Sequence, residues 1–140
     1  MQWTDSGIVL GARRHGESSV ILELLTAKHG RHLGLVRGGR GKRYSAMLQP
    51  GNAIRATWQA RIEEQLGAYA VEAEEHRAAR LIGSAGALYA IGYLAALARL
   101  LPERDPQEGL HAALDMIIGH LDDLAIAAPL IIRFEVEMLR

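Results

Sequence analysis

Residues 53–62 read AIRATWQARI, and their alternation is clean. Ile54, Ala56, Trp58, Ala60 and Ile62 fall on one face of an extended chain; Arg55, Thr57, Gln59 and Arg61 fall on the other. A strand with one face on a core and the other in water reads this way. Trp58 lies on the apolar face, which assigns it to the core rather than to a base-stacking platform.

The residues upstream carry the same signature in shorter pieces. Glycines at 7, 11, 16, 30 and 34 punctuate β-like runs, and Pro50-Gly51 precedes the quoted stretch. The pattern predicts strands near 5–14, 19–26, 31–37, 52–62 and 67–74. Turn signals fill the gaps: HGES, AKHG, RGGRGKRYS and EEQLG. Five short strands in this span predict a small closed or partly open barrel. Their spacing does not choose among OB-like, SH3-like and other small barrels. The fifth strand carries Tyr69, Val71 and Ala73 on one side, Glu72 and Glu74 on the other. Those acids make it a poor phosphate-binding surface.

From Arg77 on, alanine and leucine dominate and the period lengthens. Leu81, Ala85, Leu88, Ile91, Leu94, Leu97 and Leu101 recur at helical spacing, with Ser84 as an N-cap. Pro102 ends that helix and PERDP connects it to the next. Pro106 fits the first turn of a second helix, with Leu110, Leu114, Ile117, Ile118 and Leu121 on one side and Asp122-Asp123 closing it. A third helix is expected to begin between Ala125 and Pro129, with Pro129 in its first turn. It reaches Arg140 with no stop signal, and Leu130, Ile131, Phe134, Met138 and Leu139 still need cover. That predicts a longer natural protein with a truncated helical region here, or a complete chain that dimerises through this helix. An exposed apolar face of this kind also predicts self-association. The fold class is therefore α+β: a barrel domain over 1–77 and the start of an α-helical domain over 78–140.

The chain has 140 residues, 49% of them hydrophobic, so it can bury a core. It has no cysteine, which excludes disulfides and thiolate metal sites and suits a reducing compartment. The N-terminus does not read as a signal peptide, and no run approaches the roughly 20 apolar residues of a spanning helix. The expectation is a soluble cytoplasmic protein with no membrane partner. Net charge is zero, but it is divided. Residues 1–60 hold nine Lys or Arg against three acids, and residues 61–140 hold seven Arg against thirteen acids. A basic half points to nucleic acid, with mutual attraction of the two halves as the plainer alternative.

No catalytic constellation stands out, and neither an enzyme nor a cofactor is expected. His29-Gly-Arg-His32 reads as a solvated turn rather than a metal site, since no third ligand is in register. Ser18-Ser19 lacks a nucleophile-elbow setting. RGGRG lacks the ending of a P-loop and is expected to open no helix. What remains is the loop itself, RGGRGKR at 37–43. Glycine lets backbone approach a ligand, and Arg37, Arg40, Lys42 and Arg43 can reach phosphates. Tyr44 could stack on a base. Arg13, Arg14, Arg55 and Arg61 join the candidates through their charge. The competing reading is a disordered, solvated loop.

Four stretches also carry a resemblance: WTDSGIVLGARRHGESSVILELLT at 3–26, HGRHLGLVRGGR at 29–40, LQPGN at 48–52 and LLPERDP at 100–106. Together they closely resemble the RecO family of bacterial recombination mediators, over essentially the whole chain. The resemblance implies an N-terminal OB-fold followed by an α-helical domain. It implies binding of single- and double-stranded DNA and annealing of complementary strands in recombinational repair. It also implies displacement of single-stranded-DNA-binding protein so that RecA can load, RecR as a partner, and a nucleoid-associated location. Family members run on beyond the length seen here, and some carry a cysteine zinc motif there. The basic loop corresponds to the family's basic connection after the third strand, which implies DNA contact at Arg37, Arg40, Lys42 and Arg43. The alternative is an interaction scaffold whose basic half docks on an acidic protein surface or tail.

Overall fold

The computed structural model describes residues 1–140. Five strands close into a barrel in the order β1-β2-β3-β5-β4. They are β1 (Gln2–His15), β2 (Ser19–Thr26), β3 (Gly30–Val36), β4 (Ala53–Gln59) and β5 (Ala68–Glu75), with a single helical turn, α1 (Lys42–Ser45), between β3 and β4. Closure depends on β1, the longest strand. Its first half pairs with β4, from Gln2 opposite Gln59 to Ile8 opposite Ala53. From Gly7 it pairs with β2, ending with His15 opposite Ser19. A register shift between Val9 and Gly11 bends it from one partner to the other, as bulges do. The remaining seam is one parallel contact of β3 with β5, Leu35 beside Ala68. This is the OB-like arrangement the sequence left open among small barrels.

The alternation of AIRATWQ holds: Ile54, Ala56 and Trp58 are fully buried in the barrel with Val9, Leu22, Leu24, Val36, Tyr69 and Val71. It fails beyond Gln59. β4 ends there, residues 61–65 form a turn, and Ile62 is exposed. The expected strand to Ile62 is therefore too long. β5 has no partner for Arg61 or Ile62, because its pairing with β4 begins with Ala68 opposite Gln59. Ala73 is likewise exposed rather than in the core.

Four helices follow: α2 (Arg77–Leu81), α3 (Ala85–Ala98), α4 (Glu108–Gly119) and α5 (Leu124–Met138). They cover the outside of the barrel along β1. Ile8 and Leu10 point outward, with Leu25, into a second core formed by Ile91, Leu94, Leu114, Ile117, Ile118 and Phe134. β1 is thus buried on both faces over Gly7–Gly11. Ser84 caps α3 as expected, its hydroxyl accepting from Ala87 N. The face that α3 buries differs from expectation. Ala87, Ile91, Leu94, Ala95 and Ala98 face inward, and Leu88 is exposed. Small alanines permit close backbone approach to the barrel, which turns the helix so that Leu88 and Tyr89 face water.

Both helix-start prolines are displaced. Pro106 lies ahead of α4, whose N-cap is Gln107, and Pro129 lies inside α5 rather than in its first turn. Asp123 does not close α4. It caps α5, its carboxylate accepting from Ala125 N. No helix is long and apolar enough to cross a membrane.

The connector between α3 and α4 is tied to the barrel. Arg104 N donates to Arg31 O, and Arg31 Nε donates to Leu101 O. Arg31 also pairs with Glu23, whose other carboxylate oxygen lies 3.2 Å from Arg99 Nε on α3. Gly30 has φ +69°, and a Cβ there would run into the backbone of Asp105. A Cβ on Gly11 would collide with the Arg99 guanidinium. These two glycines are where helix-side chain touches barrel backbone.

Candidate nucleic-acid interface

The β1–β2 turn and the loop after β3 meet at one end of the barrel. β2 aligns Val20 with both Arg14 and Val36. Arg40 locks the two connections together: its backbone N donates to Ser18 O, and its Nη1 donates to Gly16 O at 3.0 Å and Glu17 O at 2.7 Å. Residues 13–18 and 37–43 together carry six cations against one carboxylate, Glu17. Arg13, Arg14, Arg37, Lys42 and Arg43 are exposed, and their side chains make no hydrogen bond or ion pair within the chain.

The loop is more ordered than glycine content suggests. Gly39 N bonds Val36 O, Gly41 N bonds Gly38 O, and Tyr44 N bonds Gly41 O. The helical turn α1 opens at Lys42, where sequence predicted none. Arg40 departs from the expected role of a free phosphate ligand, because turn carbonyls already occupy its Nη1. Tyr44 is half-buried against the barrel core, with Arg43 5.3 Å from its ring centre.

Arg55 and Arg61 lie elsewhere. Arg55 sits mid-sheet between Ser6 and Glu72, and Ser6 donates to Glu74. That mixed face offers little net attraction for a polyanion. Arg61 is exposed in the turn after β4, beyond the paired part of the sheet.

The opposite end of the barrel holds a group that the sequence did not reveal. Of the pair His29 and His32, His29 does lie in a turn and is partly exposed, but His32 does not. His32 is 3% exposed, inside the barrel, with Nδ1 2.9 Å from the Tyr69 hydroxyl. Burial, reinforced by the Arg104 charge, lowers its pKa to about 4. Burial likewise pushes the Tyr69 hydroxyl well above its ordinary value. His29 stacks on Trp3 with ring centres 3.9 Å apart and planes at 5°. Trp3 lies 5.8 Å from Trp58, and Arg104 lies 5.2 Å over the Trp58 ring. Asp5 is buried beneath, accepting from Ser6 N and Lys28 N at 2.8 Å and lying 3.0 Å from His29 Nδ1. No group of His, Asp and Glu here or elsewhere is arranged to hold a metal.

The family models of the recombination protein O N-terminal and C-terminal regions match residues 1–74 and 83–140. The chain belongs to the RecO family. It is 60% identical over 139 residues to the DNA repair protein RecO of Methylobacterium nodulans, covering 99% of this chain and 56% of that protein. It is 60% identical, over the same shares, to the DNA repair protein RecO of Chelativorans sp.. It is 58% identical to that of Nitrobacter hamburgensis, covering 99% of this chain and 55% of that protein. The chain thus spans a little over half the length of the relatives it matches.

Among the candidate residues of this RecO-family chain, the fold gathers Arg13, Arg14, Arg37, Arg40, Lys42 and Arg43 at one end, and it leaves Arg55 and Arg61 outside that group. Hairpin pairing does this, through the alignment of His15 with Ser19 and of Val20 with Val36. Charge counting alone could not separate the two sets.

Proposed function

We propose that this chain is a DNA-binding, non-enzymatic part of a recombination mediator, engaging phosphates through the basic end of its barrel. The observation that carries the reading is the cluster of Arg13, Arg14, Arg37, Lys42 and Arg43, exposed and unpaired on a frame that Arg40 holds together. Unpaired cations of this kind attract a backbone without reading bases. Arginine forks match phosphate oxygens in pairs. Single- and double-stranded DNA are both suitable ligands, because the phosphates are common to them. Neutralised phosphates also let complementary strands approach, which is the physical requirement of annealing. In the whole protein, this surface would serve recombinational repair in the cytoplasm at the nucleoid. There it would help RecA load on strands coated by single-stranded-DNA-binding protein, with RecR as partner.

The test is binding of fluorescent single- and double-stranded oligonucleotides across a salt series. Five cations predict a log–log slope near −3 to −4 for single strands, at about −0.7 per phosphate. The scaffold alternative draws on the same charge asymmetry. It predicts instead tighter binding to an acidic peptide than to an oligonucleotide of equal charge. A flat salt response with DNA would remove the proposal.

A further inference from the structure

We infer that the aromatic end of the barrel is a second contact for single-stranded nucleic acid, where an unpaired base stacks on the imidazole of His29. The inference rests on the reading of the chain as a DNA-binding module and adds a site separate from the basic loop. His29 is the outer member of a run of rings that continues through Trp3 to Trp58. One face of its ring lies on Trp3, and about a third of its side chain remains exposed. It borders a cleft of about 280 Å³ that also contains Trp3, Lys28, Trp58, Glu63 and Arg104.

The ring is held rather than merely present. Asp5, 7% exposed, anchors it through Nδ1 and anchors the turn below it through the Lys28 amide. Arg104 is committed to the carbonyls of Glu63 and Gln65 and lies over Trp58, which fixes the far side of the run. A platform fixed in this way spends little conformational entropy when a flat ligand lands on it. Lys28, next in the chain and exposed, is the cation available for the adjoining phosphate. Paired bases in a duplex are already stacked on both faces, so such a platform selects single strands. β1 joins the two sites, carrying Trp3 near one end and Arg14 near the other, up to about 36 Å apart if the strand were straight.

Both tryptophans of the chain belong to this run, so intrinsic fluorescence reads the site directly. The experiment titrates the 140-residue chain with an oligo-dT and with an abasic oligonucleotide of the same length and phosphate count. The expected result is quenching by oligo-dT only, and affinity for it higher by roughly five- to a hundredfold, the range for one stacked base. His29→Leu, which still covers Trp3 but offers no flat ring, should abolish both the quenching and the preference. His29→Phe, which keeps a stacking face but loses the Asp5 bond, should restore most of the preference. Equal affinity of the wild-type chain for the two oligonucleotides would overturn this inference while leaving the phosphate reading intact. Retention of quenching and preference by His29→Leu would also overturn it. Binding of neither oligonucleotide would overturn both.

Discussion

At one end of the barrel, Arg13, Arg14, Arg37, Lys42 and Arg43 stand in solvent with no hydrogen-bond or ion-pair partner for their side chains, Arg43 alone lying over a ring, that of Tyr44. At the other, Arg31 binds Glu23 and a backbone carbonyl, Arg104 binds two carbonyls and covers Trp58, and His29 is held by Asp5. The basic end has more cations than the aromatic end, and the two ends use theirs differently. Satisfied charges fix the connector to the barrel. Unsatisfied charges are free to meet something outside the chain. Partnering, together with position in the fold, separates the structural residues from the candidate ligand-binding ones.

The comparison breaks most visibly at the satisfied end. Trp58→Ala should cost about 3–5 kcal/mol, since a fully buried ring is lost from a close-packed barrel and the cover beneath Arg104 goes with it. Urea unfolding monitored by circular dichroism measures this. The same change should leave the salt slope of residual DNA binding unaltered if the chain still folds.

The next effect is one of pH. His32 is held neutral, with a folded pKa of about 4 against an ordinary 6.5. Between these values the unfolded chain binds the proton and the folded chain does not. Stability is therefore complete above pH 6.5, falls as pH drops toward 4, and falls no further from this group below that. The loss is of order 3 kcal/mol. His32→Asn should flatten that part of the stability profile relative to wild type, measured by denaturant midpoints from pH 4 to 7.

Gly30→Ala should cost about 1–3 kcal/mol, through positive φ and through collision with the Asp105 backbone. Limited proteolysis should show the connector at residues 102–106 cut faster than in wild type. At the bottom of the scale, Arg55→Ala should change stability by no more than about 0.5 kcal/mol, as an exposed substitution with no bonded partner does. It should also leave DNA affinity close to wild type, which sharpens the contrast with the basic end.

How far the sequence reveals these features follows from local physics. Alternation at Ile54, Ala56 and Trp58 was readable because one side of β4 faces a core and the other faces water. HLGLV alternates just as clearly, yet its polar member goes inside: His32 and Val36 are buried while Leu33 and Leu35 are only half-buried. The Tyr69 hydroxyl, from a strand 37 residues away, satisfies His32, and no local pattern reports that partner. GIVLG does not alternate at all, since helices cover its outer side. The inward face of α3 was misread for a related reason: close approach favours Ala87, Ala95 and Ala98 over the larger Leu88. Of the candidate binding residues, charge selects the eight cations, but only strand pairing groups six of them and sets Arg55 and Arg61 apart. Arg40 illustrates the remainder, since its bonds to Gly16 and Glu17 depend on a turn more than twenty residues upstream.

The central claim is that unpartnered cations at the basic end hold DNA phosphates, and one measurement addresses it most directly. Arg13, Arg14, Arg37, Lys42 and Arg43 are changed together to alanine, Arg40 is retained to keep the turn in place, and single-strand affinity is followed over a salt series. The account predicts an unchanged unfolding midpoint, weaker binding to every oligonucleotide by a similar factor, and a salt slope reduced by about 3 or more. Wild-type affinity together with a wild-type slope would contradict it.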